Sequence, residues 1–258
     1  MNKFLPFLFG ALVGIMGGLI GLGGAEFRLP ILIKVFNYST LKAIIINLIV
    51  SLVTVIFSLI FRSGVVGLNN IIASSGIIIN ILAGSLIGAY LGVNYATRIN
   101  EKLLNKIVVI FLVIISFILM AHELIFSLQI WELPSLLKVI SAWLAGVIIG
   151  VFSSLLGVAG GELIIPTIIL IFAVDIKLAG SLSLAISVPT IIMGLWKYNR
   201  QQKLQQVKDD YSFLILMAIG SIVGAFIGSY LLQYIASIYL YWILGIILLI
   251  SAYKLAKH

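Results

Sequence analysis

The chain contains no cysteine, which removes disulfides, thiolate metal sites and thiol chemistry together. Histidine is nearly absent too. His122 and His258 stand at the ends of apolar segments and make a poor metal site. Charge is the third shortage: 9% of the residues are charged, against roughly a quarter in soluble domains. With so few ionisable groups, the chain offers neither a nucleophile–base pair nor a metal cluster for an intramembrane enzyme. No phosphate-binding loop signature is present, which argues against a self-contained ATP-driven pump. We therefore expect no catalytic residues, no cofactor and no metal.

What the sequence has instead is apolar length. Of 258 residues, 62% are hydrophobic, and the mean hydropathy is +1.27. Apolar runs of about twenty residues recur from end to end, long enough to cross a hydrocarbon core of roughly 30 Å. The expected class is an all-α polytopic membrane protein in a lipid bilayer. The formal net charge of +8 invites a nucleic-acid reading. That reading fails, because the Lys and Arg are scattered singly between apolar runs rather than gathered on one face. Lys3 followed by an apolar run superficially resembles a signal peptide. Its counterpart, Val139 to Leu156, is internal, so both read as structural.

The chain repeats itself. A shift that carries Gly21 onto Gly157 superposes Met1–His122 on Leu137–His258 without a gap, with about a quarter of the positions identical. Gly10, Gly14, Gly21, Gly24, Glu26 and Pro30 match Gly146, Gly150, Gly157, Gly160, Glu162 and Pro166. Ser51 and Thr54 match Ser187 and Thr190, and Gly84, Ser85, Gly88 and Gly92 match Gly220, Ser221, Gly224 and Gly228. Chance alignment of Ile and Leu does not place glycines in register. We divide the chain into a first transmembrane repeat, 1–127, and a second, 137–258, forming one transport domain. Transporters are commonly built this way.

Each repeat reads as five apolar segments: 4–20, 25–37, 40–61, 72–97 and 103–122, then 140–156, 161–173, 176–197, 211–233 and 237–255. The second of each set is too short for a bilayer, since thirteen helical residues reach only about 20 Å. A hairpin of short helices broken at the glycines is the expected form. If the first two segments of each repeat return to the side they left, the repeats are inverted. One side then holds Lys3, Lys34, Lys42, Arg98, Lys102, Lys106, Lys197, Arg200, Lys203, Lys208, Lys254 and Lys257. The other holds Arg62, Lys138 and Lys177. Parallel repeats would divide these charges almost evenly, so the positive-inside rule selects inversion, with both termini cytoplasmic and the protein in the cell membrane. The polar stretch Lys197 to Asp210 reads as a solvated connection, with a regulatory role as the lesser alternative.

The glycine stretches carry the chemistry. Irregular backbone at membrane depth leaves polar groups that must be satisfied, at a cost of several kcal/mol each if they are not. A helix starting near Glu26 or Glu162 aims its N–H groups and positive dipole end at the break, which suits a small anion. Candidate binding residues are therefore Gly21, Gly23, Gly24, Glu26 and Arg28 in the first repeat, and Gly157, Gly160, Gly161 and Glu162 in the second. The helices that follow add Asn47, Ser51 and Thr54, then Ser183, Ser187 and Thr190. Spacings of i, i+4 and i+7 put each trio on one helical face, where hydrogen bonding between helices is the leading alternative to substrate contact. The glutamates read either as first-turn carboxylates or as proton carriers. Arg28 pairs with Glu26 or meets the substrate, and Pro30 and Pro166 set a helix start or a kink. Pro189 should free a carbonyl in its own helix. The spaced pairs Gly10/Gly14 and Gly84/Gly88, with their repeat mates, read as packing positions.

The paired segments "GALVGIMGGLIGLGGAEFRLPIL" and "GVIIGVFSSLLGVAGGELIIPTI" resemble the sulfite exporter TauE/SafE family of membrane permeases, over nearly the whole chain. The resemblance implies transport of sulfite, sulfoacetate or related organosulfonates or carboxylates. Ala25 and Arg28 stand where the second copy has Gly161 and Ile164, so the half-sites are not equivalent. The expected function is a secondary transporter of small anions working by alternating access, with an anion channel of the same fold as the alternative. Proton or sodium coupling and homo-oligomerisation stay open.

Overall fold

The structure is a computed structural model that describes residues 4–95, 101–121, 134–156 and 160–256. Gly157, His122 and His258 lie outside the described residues. Within them the regular structure is helical: α1 Phe4–Ile20, α2 Ala25–Lys34, α3 Thr40–Val66, α4 Leu68–Ala73, α5 Ser75–Tyr95 and α6 Glu101–Met120. Then follow α7 Ser135–Leu156, α8 Gly161–Phe172, α9 Ile176–Arg200, a 3₁₀ helix Lys203–Asp210, α10 Tyr211–Leu231 and α11 Ser237–Ala256. Three stretches are long and apolar enough to cross a membrane: Thr40–Val66, Ile176–Arg200 and Lys203–Leu231. Shorter apolar helices accompany them.

Helix boundaries follow local chemistry. Asp175 caps α9 by accepting a hydrogen bond from the Lys177 amide at 2.8 Å, and Ser39 occupies the matching position before α3. Gly24 and Gly160 precede α2 and α8 with φ +74° in both, a left-handed conformation that an L side chain adopts only at a cost of about 1 kcal/mol or more. Pro30 and Pro166 sit at the sixth residue of α2 and α8, not at a helix start. Each withholds the N–H that would have reached the Glu26 or Glu162 carbonyl. α9 continues through Pro189 to Arg200.

Between apolar helices in lipid, close packing replaces the hydrophobic drive. The most extensive contacts join α1 to α10 and α5 to α7. Gly10, Gly14 and Gly18 set their Cα atoms against the carbonyls of Met217, Ser221 and Ala225, and Gly220, Gly224 and Gly228 do the same with Phe7, Ala11 and Ile15. Gly84 and Gly88 meet Trp143 and Val147, while Gly146 and Gly150 meet Ile81 and Ser85. The packing reading of these glycines holds, with Cα–H···O contacts between the backbones.

The pairings are reciprocal. Exchanging the repeats carries α1–α10 onto α7–α5, and maps the α3–α9 and α6–α11 contacts onto themselves. The rising register of the glycine contacts makes α1 parallel to α10 and α5 parallel to α7. α3 and α9 run antiparallel. Arg62, near the end of α3, bonds to Lys177 and Ser181 at the start of α9, whereas Leu48 lies beside Gly194 near its end.

Candidate functional site

The four-residue break between α1 and α2 places Gly21, Gly23 and Gly24 at φ +94°, +80° and +74°. Each is hemmed in. A side chain at Gly21 would enter the Gly180 backbone of α9, and one at Gly23 would strike Val55 of α3. The start of α8 is in contact with this break: a Cβ on Gly161 would lie 2.9 Å from the Leu22 carbonyl.

Arg28 projects from α2 and is completely buried. Its Nη1 donates to Ser51 Oγ at 2.8 Å and Asn47 Oδ1 at 3.4 Å, and its Nη2 to Thr54 Oγ1 at 3.0 Å and Ser221 Oγ at 3.4 Å. Nε has no hydrogen-bond partner among the described residues. The predicted stripe on α3 thus converges on one guanidinium. Asn47 Nδ2 also donates to the Ala25 carbonyl at 3.1 Å, holding the first turn of α2 on α3. Four neutral oxygens surround the two terminal nitrogens. Alongside this cradle, Arg28 lies within the electrostatic field of Glu26.

The second repeat keeps the cradle and drops the charge. Ser183, Ser187 and Thr190 are buried on α9. Thr190 Oγ1 donates to the Ile186 carbonyl at 2.9 Å and stands 3.5 Å from Ser85 Oγ of α5. Ser85 is the repeat mate of Ser221, so each trio is joined by a serine from the opposite half. Ile164, buried, occupies the place of Arg28. Ser183 Oγ is left without a hydrogen-bond partner among the described residues. Glu162 accepts a hydrogen bond from Ser251 Oγ of α11 at 2.7 Å, a contact Glu26 lacks because Ile115 matches Ser251.

Arg62 is a correction to the sequence reading. Expected as a flanking surface charge, it is wholly buried. It donates from Nη1 to the Gly18 and Leu19 carbonyls at 2.9 and 2.8 Å, from Nη2 to the Lys177 carbonyl at 2.6 Å, and from Nε to Ser181 Oγ at 3.1 Å. The last carbonyls of α1 have no intrahelical donors, and Arg62 supplies them. The polar stretch before α10 is also more than a solvated connection. Val207 is buried, and Asp210 accepts from Tyr38 Oη at 2.9 Å and pairs with Lys42 Nζ at 2.6 Å. Sequence reasoning missed Ser85 and Ser221 as partners of the stripes, although the repeat had aligned them.

Comparison with known proteins agrees with this architecture. The sequence profile of the family described as sulfite exporter TauE/SafE matches residues 1–119 and 142–258. This chain belongs to that family. A TauE/SafE member is a membrane transporter. A similar protein of Methanocaldococcus jannaschii, named as a probable membrane transporter protein, is 33% identical over 201 residues, 75% of this chain and 72% of its own. No solved structure matches the chain.

Proposed function

We propose that this TauE/SafE transporter moves small anions such as sulfite, organosulfonates or related carboxylates, by alternating access of two inverted repeats around the point where the Gly24 and Gly160 breaks meet. The observation that carries the proposal is Arg28. Burying a cation costs several kcal/mol unless it is paired, yet its terminal nitrogens meet only hydroxyl and amide oxygens. An anion arriving there supplies a contacting negative charge, with the α2 N-terminus and the glycine break as further donors.

Inversion is supported by the antiparallel course of α3 and α9 and by the reciprocal pairing of the halves. With Arg62 buried, the flank opposite Lys34, Lys42, Lys197, Arg200, Lys203 and Lys208 keeps Lys138 and Lys177, which supports cytoplasmic termini. Glu26, within the field of Arg28, provides the counter-charge when no substrate is bound, and anion binding then favours its protonation.

The test is uptake of radiolabelled sulfite into proteoliposomes, competed with unlabelled sulfonates, sulfate and carboxylates, with and without an imposed pH gradient. Saturable uptake competed by one class of anion is the expected result. Flux that is unsaturable, rises with voltage and needs no exchanging ion would point to a channel. Absence of uptake under every gradient would remove sulfur oxyanions as substrates.

A further inference from the structure

Two polar clusters join the repeats, and neither belongs to the anion site. The first ties Tyr38 and Lys42 of the first repeat to Asp210 of the second, through a 2.9 Å hydrogen bond and a 2.6 Å ion pair. Lys42 Nζ also lies 5.2 Å from the centre of the Tyr38 ring. The second ties Arg62 of the first repeat to the Lys177 carbonyl and Ser181 of the second, and to the end of α1.

Their placement is what matters. Lys42 and Arg62 lie on one unbroken helix, α3, and the twenty residues between them span about 30 Å, the thickness of a hydrocarbon core. Asn47, Ser51 and Thr54, which hold Arg28, lie between them. The clusters therefore flank the anion site from opposite ends. They also hold both ends of the break–α2 unit: Arg62 holds the carbonyls of Gly18 and Leu19 just before the break, and Tyr38 follows α2 at its exit. Duplication does not account for either. The repeat mates of Tyr38, Lys42 and Asp210 are Val174, Leu178 and Ser74, and those of Arg62 and Ser181 are Tyr198 and Ile45.

We propose that these two clusters are the gates of the transporter, one for each side of the membrane, and that this structure is the occluded state with both closed. The proposal rests on the alternating-access reading above. The gates differ in strength. The side chains of Lys42 and Asp210 are 27% and 15% exposed, where an ion pair is screened and weak. Arg62 is fully buried and makes four charge-assisted hydrogen bonds, which are stronger and leave uncompensated groups when broken. The Asp210 gate therefore opens more readily, and the resting protein opens preferentially to that side.

The chain has no cysteine, so a single Ser51→Cys reporter can be read without background. The probe is a membrane-impermeant trimethylammonioethyl methanethiosulfonate, a cation outside the proposed cargo class, applied separately to each face of sealed vesicles of known orientation. Asp210→Asn should raise labelling several-fold from the Asp210 face and leave or lower it from the other. The charge swap Lys42→Asp with Asp210→Lys should return it toward the original level. Arg62→Gln should raise labelling from the opposite face. Should that variant fail to insert, Ser181→Ala, which removes one of the four bonds, should give the same shift in smaller measure.

Unchanged labelling in Asp210→Asn, or an equal rise from both faces, would overturn the gate assignment. Labelling reports opening rather than cargo, so the two proposals fail separately. A sided shift without flux of any tested anion would uphold the gates and remove the anion reading. Saturable anion flux with no sided shift would do the reverse.

Discussion

At the residue scale, Arg28 is the most consequential side chain. Hydrogen bonds to a charged group are worth about 1.5–3 kcal/mol each, so losing the guanidinium contact to an anion should cost on the order of ten- to a hundredfold. We expect Arg28→Gln to lower anion uptake by that factor. Arg28→Lys, a point charge without the planar fork, should keep part of it. Kinetic constants from proteoliposome uptake would check both. Glu26→Gln should leave exchange of bound anion intact and abolish the response to a pH gradient; a variant still driven by the gradient would remove Glu26 as the proton carrier. Tyr38 has a different dependence. Burial first, then its bond to Asp210, pushes its phenol above the ordinary range. Its folded pKa being the higher one, its contribution is complete below the unfolded value of about 10 and is lost as pH rises above that. The Tyr38 contribution to the cluster should therefore be insensitive to pH through the neutral range.

At the element scale, the glycines separate into two kinds. Those on α1, α5, α7 and α10 allow backbones to touch, and a side chain there has a facing carbonyl to displace. Gly224→Val should lower the melting temperature in detergent sharply, because the Ala11 backbone opposite cannot yield. Gly64 in α3 has nothing within 4 Å of an added Cβ, so Gly64→Ala should be neutral or stabilising by roughly 0.5–1 kcal/mol. The break glycines are of the second kind. Gly24→Leu meets both a positive φ and Val13, and Gly160→Leu meets a positive φ and Ile149. Both should insert into the membrane and lose transport. Normal transport by both would end the model of a site at the breaks.

At the scale of the whole molecule, two repeats pair reciprocally, with Arg28 buried in the first and Ile164 buried at the aligned position of the second. The proposed inversion predicts that cysteines placed at Lys203 and Lys138 are labelled by an impermeant maleimide from opposite faces of the membrane. Labelling from the same face would require parallel repeats.

Much of this was legible from residues alone. The segment 4–20 coincides with α1, and 25–37 and 161–173 contain α2 and α8 with errors of only a few residues. Apolar length and glycine punctuation are local signals, and a repeat doubles them. The polar face Asn47, Ser51 and Thr54 was legible for the same reason, since helical period alone puts these residues together. What they face was not legible. Arg28 follows them in space while preceding them in the chain, and Ser221 joins from the other repeat.

The sequence by itself determined the helices, the internal repeat, the paired glycine stretches and the family, because each depends on composition or on spacing along the chain. Tertiary structure alone decided that Arg62 is buried rather than a flanking charge, that Asp210 reaches Tyr38 and Lys42, and that Ser51, Thr54 and Ser221 meet at the Arg28 guanidinium. A charge in a sequence looks the same whether water or carbonyls surround it. Only the packing of distant helices specifies which, and with it what that charge is able to do.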